Sequence, residues 1–233
     1  MYLQRILKTM KSNQDLQKEI QEALKWEPLL HAAEIGVIVK DGVVTLTGTV
    51  DSYAKKLEAE NATKKVAGVQ ALVEKIEIKH VNSSSKLDDS EIAHNITQAL
   101  KWNLEVPKEK VRVKVENGWI TLEGELQWKY QSDCVISSIK NLLGVTGISN
   151  KIKIKPSTEE VIELQNIVEA LRRNWSIDDR NIEVSLKNHN VIISGKVNSW
   201  YEKNEAERIA WNAPGVWNVI NKLEVDYHYE FVE

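Results

Sequence analysis

DGVVTLTGTVDSYAKK (residues 41–56), NGWITLEGELQWKYQS (117–132) and NHNVIISGKVNSWYEK (188–203) are one pattern written three times. Each opens on a polar turn and runs into a Val/Ile/Leu/Thr-rich strand. Each then places a glycine where that strand should pack: Gly48, Gly124 and Gly195. These glycines stand 76 and then 71 residues apart. Ala23-Leu24, Ala99-Leu100 and Ala170-Leu171 keep the same lags, as do Gly68-Val69, Gly144-Val145 and Gly215-Val216. A fixed internal period decides the fold reading before any single element does. The 233 residues therefore divide into three units, 12–80, 88–155 and 159–226. Polar linkers join them at 81–87 and 156–158. A basic amphipathic segment, 1–11, precedes them, and an acidic aromatic tail, 227–233, follows. A unit of this size buries only about 60% of the surface its unfolded chain exposes. The three are expected to pack on one another or on another chain.

Each unit starts with apolar residues at helical spacing: Leu16, Ile20, Ala23 and Leu24, then Ile92, Ile96, Ala99 and Leu100, then Leu164, Ile167, Ala170 and Leu171. Ser90 reads as the N-cap of the second of these helices, and Pro28 ends the first. Two strands follow, with Ile35, Val37 and Val39 alternating in the first unit. Asp41-Gly42 and Asn117-Gly118 are type I′ hairpin signals, because both central residues need φ > 0. The third unit has Asn188-His189, which predicts a looser turn.

Gly48, Gly124 and Gly195 fall on the inward face of the second strand, where a glycine marks close approach of another backbone. A second helix follows, with Ala59 and Ala62 on one side and Ala206 at the first of those positions in the third unit. The expectation is that these small residues let the helix backbone nearly touch the strand. Gly68, Gly144 and Gly215 then read as the left-handed residues that end that helix. A third strand runs through Leu72, Ile76 and Ile78, repeated as Ile148, Ile152 and Ile154 and as Val219, Leu223 and Val225. The unit is α-β-β-α-β, a layer of helices on a small sheet.

A helix, a hairpin whose second strand carries a central glycine, a second helix and a Gly-Val before the last strand: in this order, three times over, the chain resembles the BON domain family. That family is named for a bacterial osmotically inducible protein and nodulation proteins, and the resemblance covers nearly the whole chain. It implies an α+β fold of three tandem αββαβ domains, each a mixed three-stranded sheet packed with two helices. It also implies a non-catalytic binding role without a cofactor, association with anionic phospholipid, and a link to osmotic stress. Some relatives bind potassium, so a potassium-binding sensor is an alternative. Another is a structural, self-associating module that binds protein or forms a homo-oligomer.

Composition narrows the chemistry. A formal net charge of −3 argues against general polyanion binding, and nucleic acid is not an expected partner. Gly144-Val145-Thr146-Gly147 has the spacing of a nucleic-acid-clamping G-x-x-G, but the other units do not keep it. No phosphate-binding loop, nucleophile elbow or zinc-helix motif is present. The five histidines occupy different repeat positions without ligand spacing, so no metal site is expected. Cys134 is the lone cysteine, at the position of Glu58 and Glu205, and reads as an exposed, idle thiol. No stretch approaches the roughly 20 apolar residues of a membrane span, and no signal sequence is evident. The expectation is a cytoplasmic protein, or a periplasmic one if a signal has been removed.

Eight tryptophans against one phenylalanine make the aromatic positions informative. Trp26 and Trp102 are repeat-equivalent and read as core or interdomain residues. Trp119 points outward from its strand and is expected to be shielded by a neighbour. Trp128, Tyr130, Trp200 and Tyr201 cluster after the second strand. Together with Trp119 they form the candidate ligand or interface surface, an environment that suits amphipathic rings. At the ends of the chain, Arg5, Lys8 and Lys11 make the N-terminal segment a candidate membrane contact. The tail reads as an extension of the last strand.

Overall fold

The computed structural model describes residues 8–9, 11–30, 34–79, 87–156, 162–226 and 229–230. Three αββαβ domains follow one another. The first consists of α1 (Asn13–Lys25), β2 (Ile35–Lys40), β3 (Val43–Val50), α2 (Tyr53–Lys65) and β4 (Ala71–Ile78), after a short β1 (Lys8–Thr9). The second is α3 (Asp89–Trp102), β5 (Val111–Glu116), β6 (Trp119–Leu126), α4 (Lys129–Ile139) and β7 (Gly147–Ile154). The third is α5 (Leu164–Arg173), β8 (Ile182–Lys187), β9 (Asn190–Val197), α6 (Trp200–Trp211) and β10 (Asn218–Val225), followed by β11 (Tyr229–Glu230). In every sheet the second strand is central, antiparallel to the first and parallel to the third. Both helices pack on one face, and each domain has its own core. In the first it is Leu16, Ile20 and Leu24 against Val44, Leu46, Ala59, Ala62 and Ile76.

The helix starts obey local chemistry. Ser12 caps α1 by accepting from the Asp15 amide at 3.1 Å. Asp88, not Ser90, caps α3, in a reciprocal box with Glu91 at 2.8 and 3.1 Å. A carboxylate two residues earlier caps the Glu91 amide and adds a favourable charge at the helix start, so Ser90 lies inside the first turn. In α5, Leu164 is exposed and Ile162, just before the helix, enters the core instead.

The hairpins turn as the sequence demands. Asp41, Gly42, Asn117 and Gly118 all have positive φ. In the third hairpin only Asn188 does. There the His189 ring stacks on Trp217, with centroids 4.4 Å apart, and the Trp217 amide donates to the His189 carbonyl at 3.0 Å. Gln70 and Thr146 make that same backbone bond to Gly42 and Gly118.

Gly48, Gly124 and Gly195 do mark a close backbone approach, but the partner is not the second helix. Their φ angles are +127°, +146° and +123°. A Cβ on them would lie 2.0, 1.9 and 1.9 Å from the carbonyl oxygens of Glu34, Lys110 and Asn181. Those carbonyls belong to the turn that feeds the first strand. Ala59, Ala62 and Ala206 are buried in their cores and make their own contacts there. Gly68, Gly144 and Gly215 also have positive φ, yet they stand in the turn beyond the helix. The helix caps themselves are Val66, Lys140 and Asn212.

The domains touch through their second helices. The α6 indole of Trp200 donates to the Val69 carbonyl at 3.1 Å and packs on the first domain's core. Its repeat-equivalent Tyr53, at the start of α2, packs on the second domain's core. Burial raises the Tyr53 hydroxyl above the ordinary tyrosine range. Helices α2 and α6 lie side by side, with Glu58, Asn61 and Lys65 facing Tyr201, Asn204 and Arg208.

At the ends, Lys8–Thr9 pairs antiparallel with Tyr229–Glu230 as a separate two-stranded sheet. Lys8 is therefore in a strand rather than an amphipathic helix, and the tail does not prolong β10. Arg5 lies outside the described residues. Lys11 is mostly buried and pairs with Glu19, and it also donates to the Ala67 carbonyl at 3.2 Å. These partners turn it onto the protein, not toward a membrane.

Candidate functional site

The segment between the first helix and the first strand of each domain is a tied loop that holds large apolar side chains in water. In the second domain the Asn103 side chain accepts from the Glu105 amide at 3.0 Å. In the third, Asn174 does the same for Ser176 at 3.0 Å. Asn and Asp side chains close such turns by bonding the backbone two residues on. Each loop then sinks one anchor into its core: Leu30, Val106 or Ile177. What remains outside is conspicuous. Trp26 and Trp102 are each 83% exposed, Leu104 97%, Trp175 96% and Leu29 59%. The expectation that Trp26 and Trp102 are core or interdomain residues is thus wrong. They follow the last buried helical positions, Leu24 and Leu100, and point away from the fold.

Each loop is also fastened to the second helix of its domain. Glu27 pairs with Lys65 at 2.8 Å. Asn103 donates to Ser138 at 2.9 Å, and Cys134 lies 3.1 Å from Glu105. Asn174 donates to Glu205 at 2.9 Å. Cys134 is accordingly half-buried and bonded, not an idle surface thiol. The Glu105 carboxylate, accepting its proton, raises the thiol above its usual range, and burial adds to this. The Arg208 guanidinium holds Glu205 below the ordinary carboxylate range.

Beside the exposed rings stand cations. Lys25 occupies the last turn of α1, Lys101 that of α3, and Arg172 and Arg173 that of α5. Cations there complement the partial negative charge of a helix C-terminus. Lys25 also pairs with Glu22 at 2.6 Å. Trp175, Leu104 and Leu29 escape a repeat-based reading. Trp175 aligns with Leu104 and Pro28, not with Trp102, so no recurring tryptophan flags it.

The sequence-predicted aromatic surface does not form one patch. Trp200 is covered between the first and third domains. Tyr201 lines the groove between α2 and α6. Trp128 is half-buried at the start of α4, where its amide and that of Gln127 donate to the Gln131 side chain at 3.2 Å. Tyr130 is exposed. Trp119 is not shielded: it is 50% exposed, lying across Gly147 with its indole donating to Ser149 at 3.0 Å. An open trough of about 860 Å³ on the middle sheet is lined by Arg112, Glu123, Glu125, Lys151, Lys153 and Lys155. Two of its lysines face carboxylates, Lys151 with Glu123 at 3.9 Å and Lys155 with Glu125 at 3.5 Å. Among the described residues, no group of three or more His, Cys, Asp or Glu could hold a metal ion. No described helix is long and apolar enough to cross a membrane.

Fold and loops together define a class: three repeated α+β modules that carry protruding apolar loops. The sequence profile of the BON domain matches residues 12–80, 88–156 and 164–227. The chain belongs to the BON domain family. It is similar to osmotically-inducible protein Y of Escherichia coli (strain K12), with 29% identity over 140 residues, 59% of this chain and 70% of that protein. It also aligns with CdsD, a structural protein of the type III secretion system of Chlamydia trachomatis. That alignment covers 91% of this chain and 92% of the other at 16% identity, with a TM-score of 0.25. The C-terminal domain of the same protein aligns over 92% of this chain and 98% of its own, also at 16% identity, with a TM-score of 0.23.

Proposed function

We propose that this protein works by binding rather than catalysis, associates with anionic phospholipid surfaces, and serves a response to osmotic stress. The observation that carries the phospholipid reading is the set of exposed Trp and Leu side chains beside helix-end cations. Tryptophan is favoured at the membrane–water interface because its ring is apolar and its N–H is polar. A neighbouring lysine or arginine contributes about 1 kcal/mol at an anionic surface. Holding such large rings in water on a tied loop gives the fold nothing, and exposed apolar surface rimmed by charge marks a contact site. The stress role is supported by family membership and by the similarity to an osmotically inducible protein.

Co-sedimentation of the full chain tests the reading. Binding is expected to vesicles containing phosphatidylglycerol, to be weaker to phosphatidylcholine alone, and to fall as salt screens the cations. Equal recovery in the supernatant with and without anionic vesicles at low salt would refute it.

A further inference from the structure

Two features of the second domain have no role in its fold, and both lie on the sheet face that the helices leave open. Strand β7 runs into KIKIK (151–155). Alternation sends Ile152 and Ile154 onto the core and leaves Lys151, Lys153 and Lys155 exposed on the other side. Successive positions on one face of a strand are about 6.6 Å apart, so these ammonium groups repel. The other domains break the run, with Glu77 in the first and Glu224 in the third. On the far side of the same face stand Lys110 and Arg112, where the first domain has Glu34 and Gly36 and the third has Asn181 and Glu183. The same backbone forms in all three domains, so the fold does not require these five cations.

The second feature is Trp119, whose counterparts are Val43 and Asn190. It opens the central strand opposite Gly147, and its ring lies across that glycine. The indole N–H donates to the Ser149 hydroxyl at 3.0 Å. Ser149 stands two residues before Lys151 on β7, so the ring is pinned in line with the lysines. Half of it is open to water. All five cations line the trough of about 860 Å³ on this face. Lys151 and Lys155 are held only by exposed carboxylates, Glu123 at 3.9 Å and Glu125 at 3.5 Å, and exposed pairs of this kind are worth little. Lys110, Arg112 and Lys153 have no carboxylate partner among the described residues.

A row of cations beside a flat, pinned ring is complementary to a chain of phosphates that carries planar bases. We propose that the open sheet face of the second domain binds single-stranded nucleic acid, with phosphates along Lys151, Lys153 and Lys155 and a base stacked on Trp119. A ring held down on the sheet can stack but cannot project into a bilayer, and an acidic peptide would use the lysines without the ring. Glu123 and Glu125, on the central strand, then face the bases. A carboxylate there accepts from an exocyclic amino group such as that of cytosine, which thymine lacks. The formal charge of −3 is an average over the chain and weakens general polyanion binding. The local excess of cations on this one face acts against it over a short range.

The experiment titrates the full chain into a fluorescent oligodeoxycytidylate of about 12 nucleotides and follows anisotropy. Oligodeoxythymidylate, a duplex of the same length and inorganic polyphosphate are the comparisons. Salt-sensitive binding is expected, tighter to the cytidylate than to any of the three. Trp119→Val installs the residue that the first domain carries, and Lys153→Gln alters an exposed side chain, so unchanged melting serves as the folding control. Trp119→Val should weaken binding by about tenfold and leave the salt dependence as it was. Trp119→Phe, which keeps a ring to stack on, should retain most of the affinity. Lys153→Gln should weaken binding and reduce the slope of log affinity against log salt by about 0.7. No wild-type binding to the cytidylate at low salt would overturn the proposal. Equal affinity for polyphosphate, with Trp119→Val silent, would also overturn it and leave a plain cationic patch. Phosphatidylglycerol-vesicle binding that falls in Lys153→Gln, with no oligonucleotide bound by the wild type, would assign the face to the membrane instead. The face is separate from the helix-end loops, so its failure would leave the vesicle binding expected of them untouched.

Discussion

At the scale of single residues, the glycine in each central strand is a steric vacancy filled by a carbonyl. The chain turns to enter the first strand, and the oxygens of Glu34, Lys110 and Asn181 occupy the space that a Cβ would need. A glycine with positive φ opposite them is what lets the pairs Ile35–Gly48, Val111–Gly124 and Ile182–Gly195 form. Even one methyl group is too many. Gly124→Ala should lower the unfolding free energy of its domain by about 3 kcal/mol, from a strained backbone and a carbonyl contact that cannot relax. Urea denaturation followed by far-UV dichroism measures it, and a wild-type midpoint would show the clash to be illusory. Glu205 supplies a second residue-level case. Arg208 and Asn174 hold its folded pKa below the unfolded value near 4.3 (roughly). Its contribution is therefore complete above the unfolded pKa and is lost as pH falls through the depressed folded value. The partner guanidinium is more than half exposed, which limits the pair to about 1 kcal/mol. Glu205→Gln should be less stable than wild type at neutral pH by that amount. The gap should close in acid; a gap constant down to about pH 3 would mean the charge is irrelevant.

At the scale of elements, the helices, strands and hairpins were legible because each rests on short-range chemistry: period, Asp-Gly and Asn-Gly turns, and caps. Where that reading failed, a residue some distance away decided the outcome. Asp88 outcompeted Ser90 because Glu91 could answer it. The central glycines were recognised as close-approach positions, yet their partner lies in a turn whose path no periodicity reveals. The candidate loops were the least legible. Trp26 and Trp102 stand at helix ends where a tryptophan can fold in or hang out, and only the buried anchors Leu30 and Val106 settle which. Trp200 shows the reverse: a residue read only as part of a ligand or interface surface is covered between two domains, and its recipient, Val69, is 131 residues away. If α6 truly locks the third domain to the first, Trp200→Ala should cost about 3 kcal/mol through lost burial. Trp200→Phe, which keeps most of the ring and loses the bond to Val69, should cost nearer 1 kcal/mol. Calorimetry should show the first and third domains melting apart in the alanine variant. A single undivided transition at the wild-type temperature would remove the lock.

At the scale of the whole molecule, the question is whether three small domains are beads on a string or one body. Each unit alone is marginal, and two of them contribute a side chain to a neighbour's core. Tyr53 leaves the first domain for the second, and Trp200 leaves the third for the first. Sharing of this kind couples the folding of the units that meet. Solution scattering separates the cases. A compact unit of about 70 residues has a radius of gyration of about 11 Å, and neighbouring centres lie on the order of 25 Å apart. Three such units closed around an axis give about 18 Å, close to the value for a compact chain of this length, whereas the same units in a row give about 23 Å. The wild type is expected at the lower figure in the absence of lipid. Trp200→Ala, which opens the junction between the third and first domains, should move toward the higher one. Scattering near 23 Å for the wild type would mean that the three domains stand in a row.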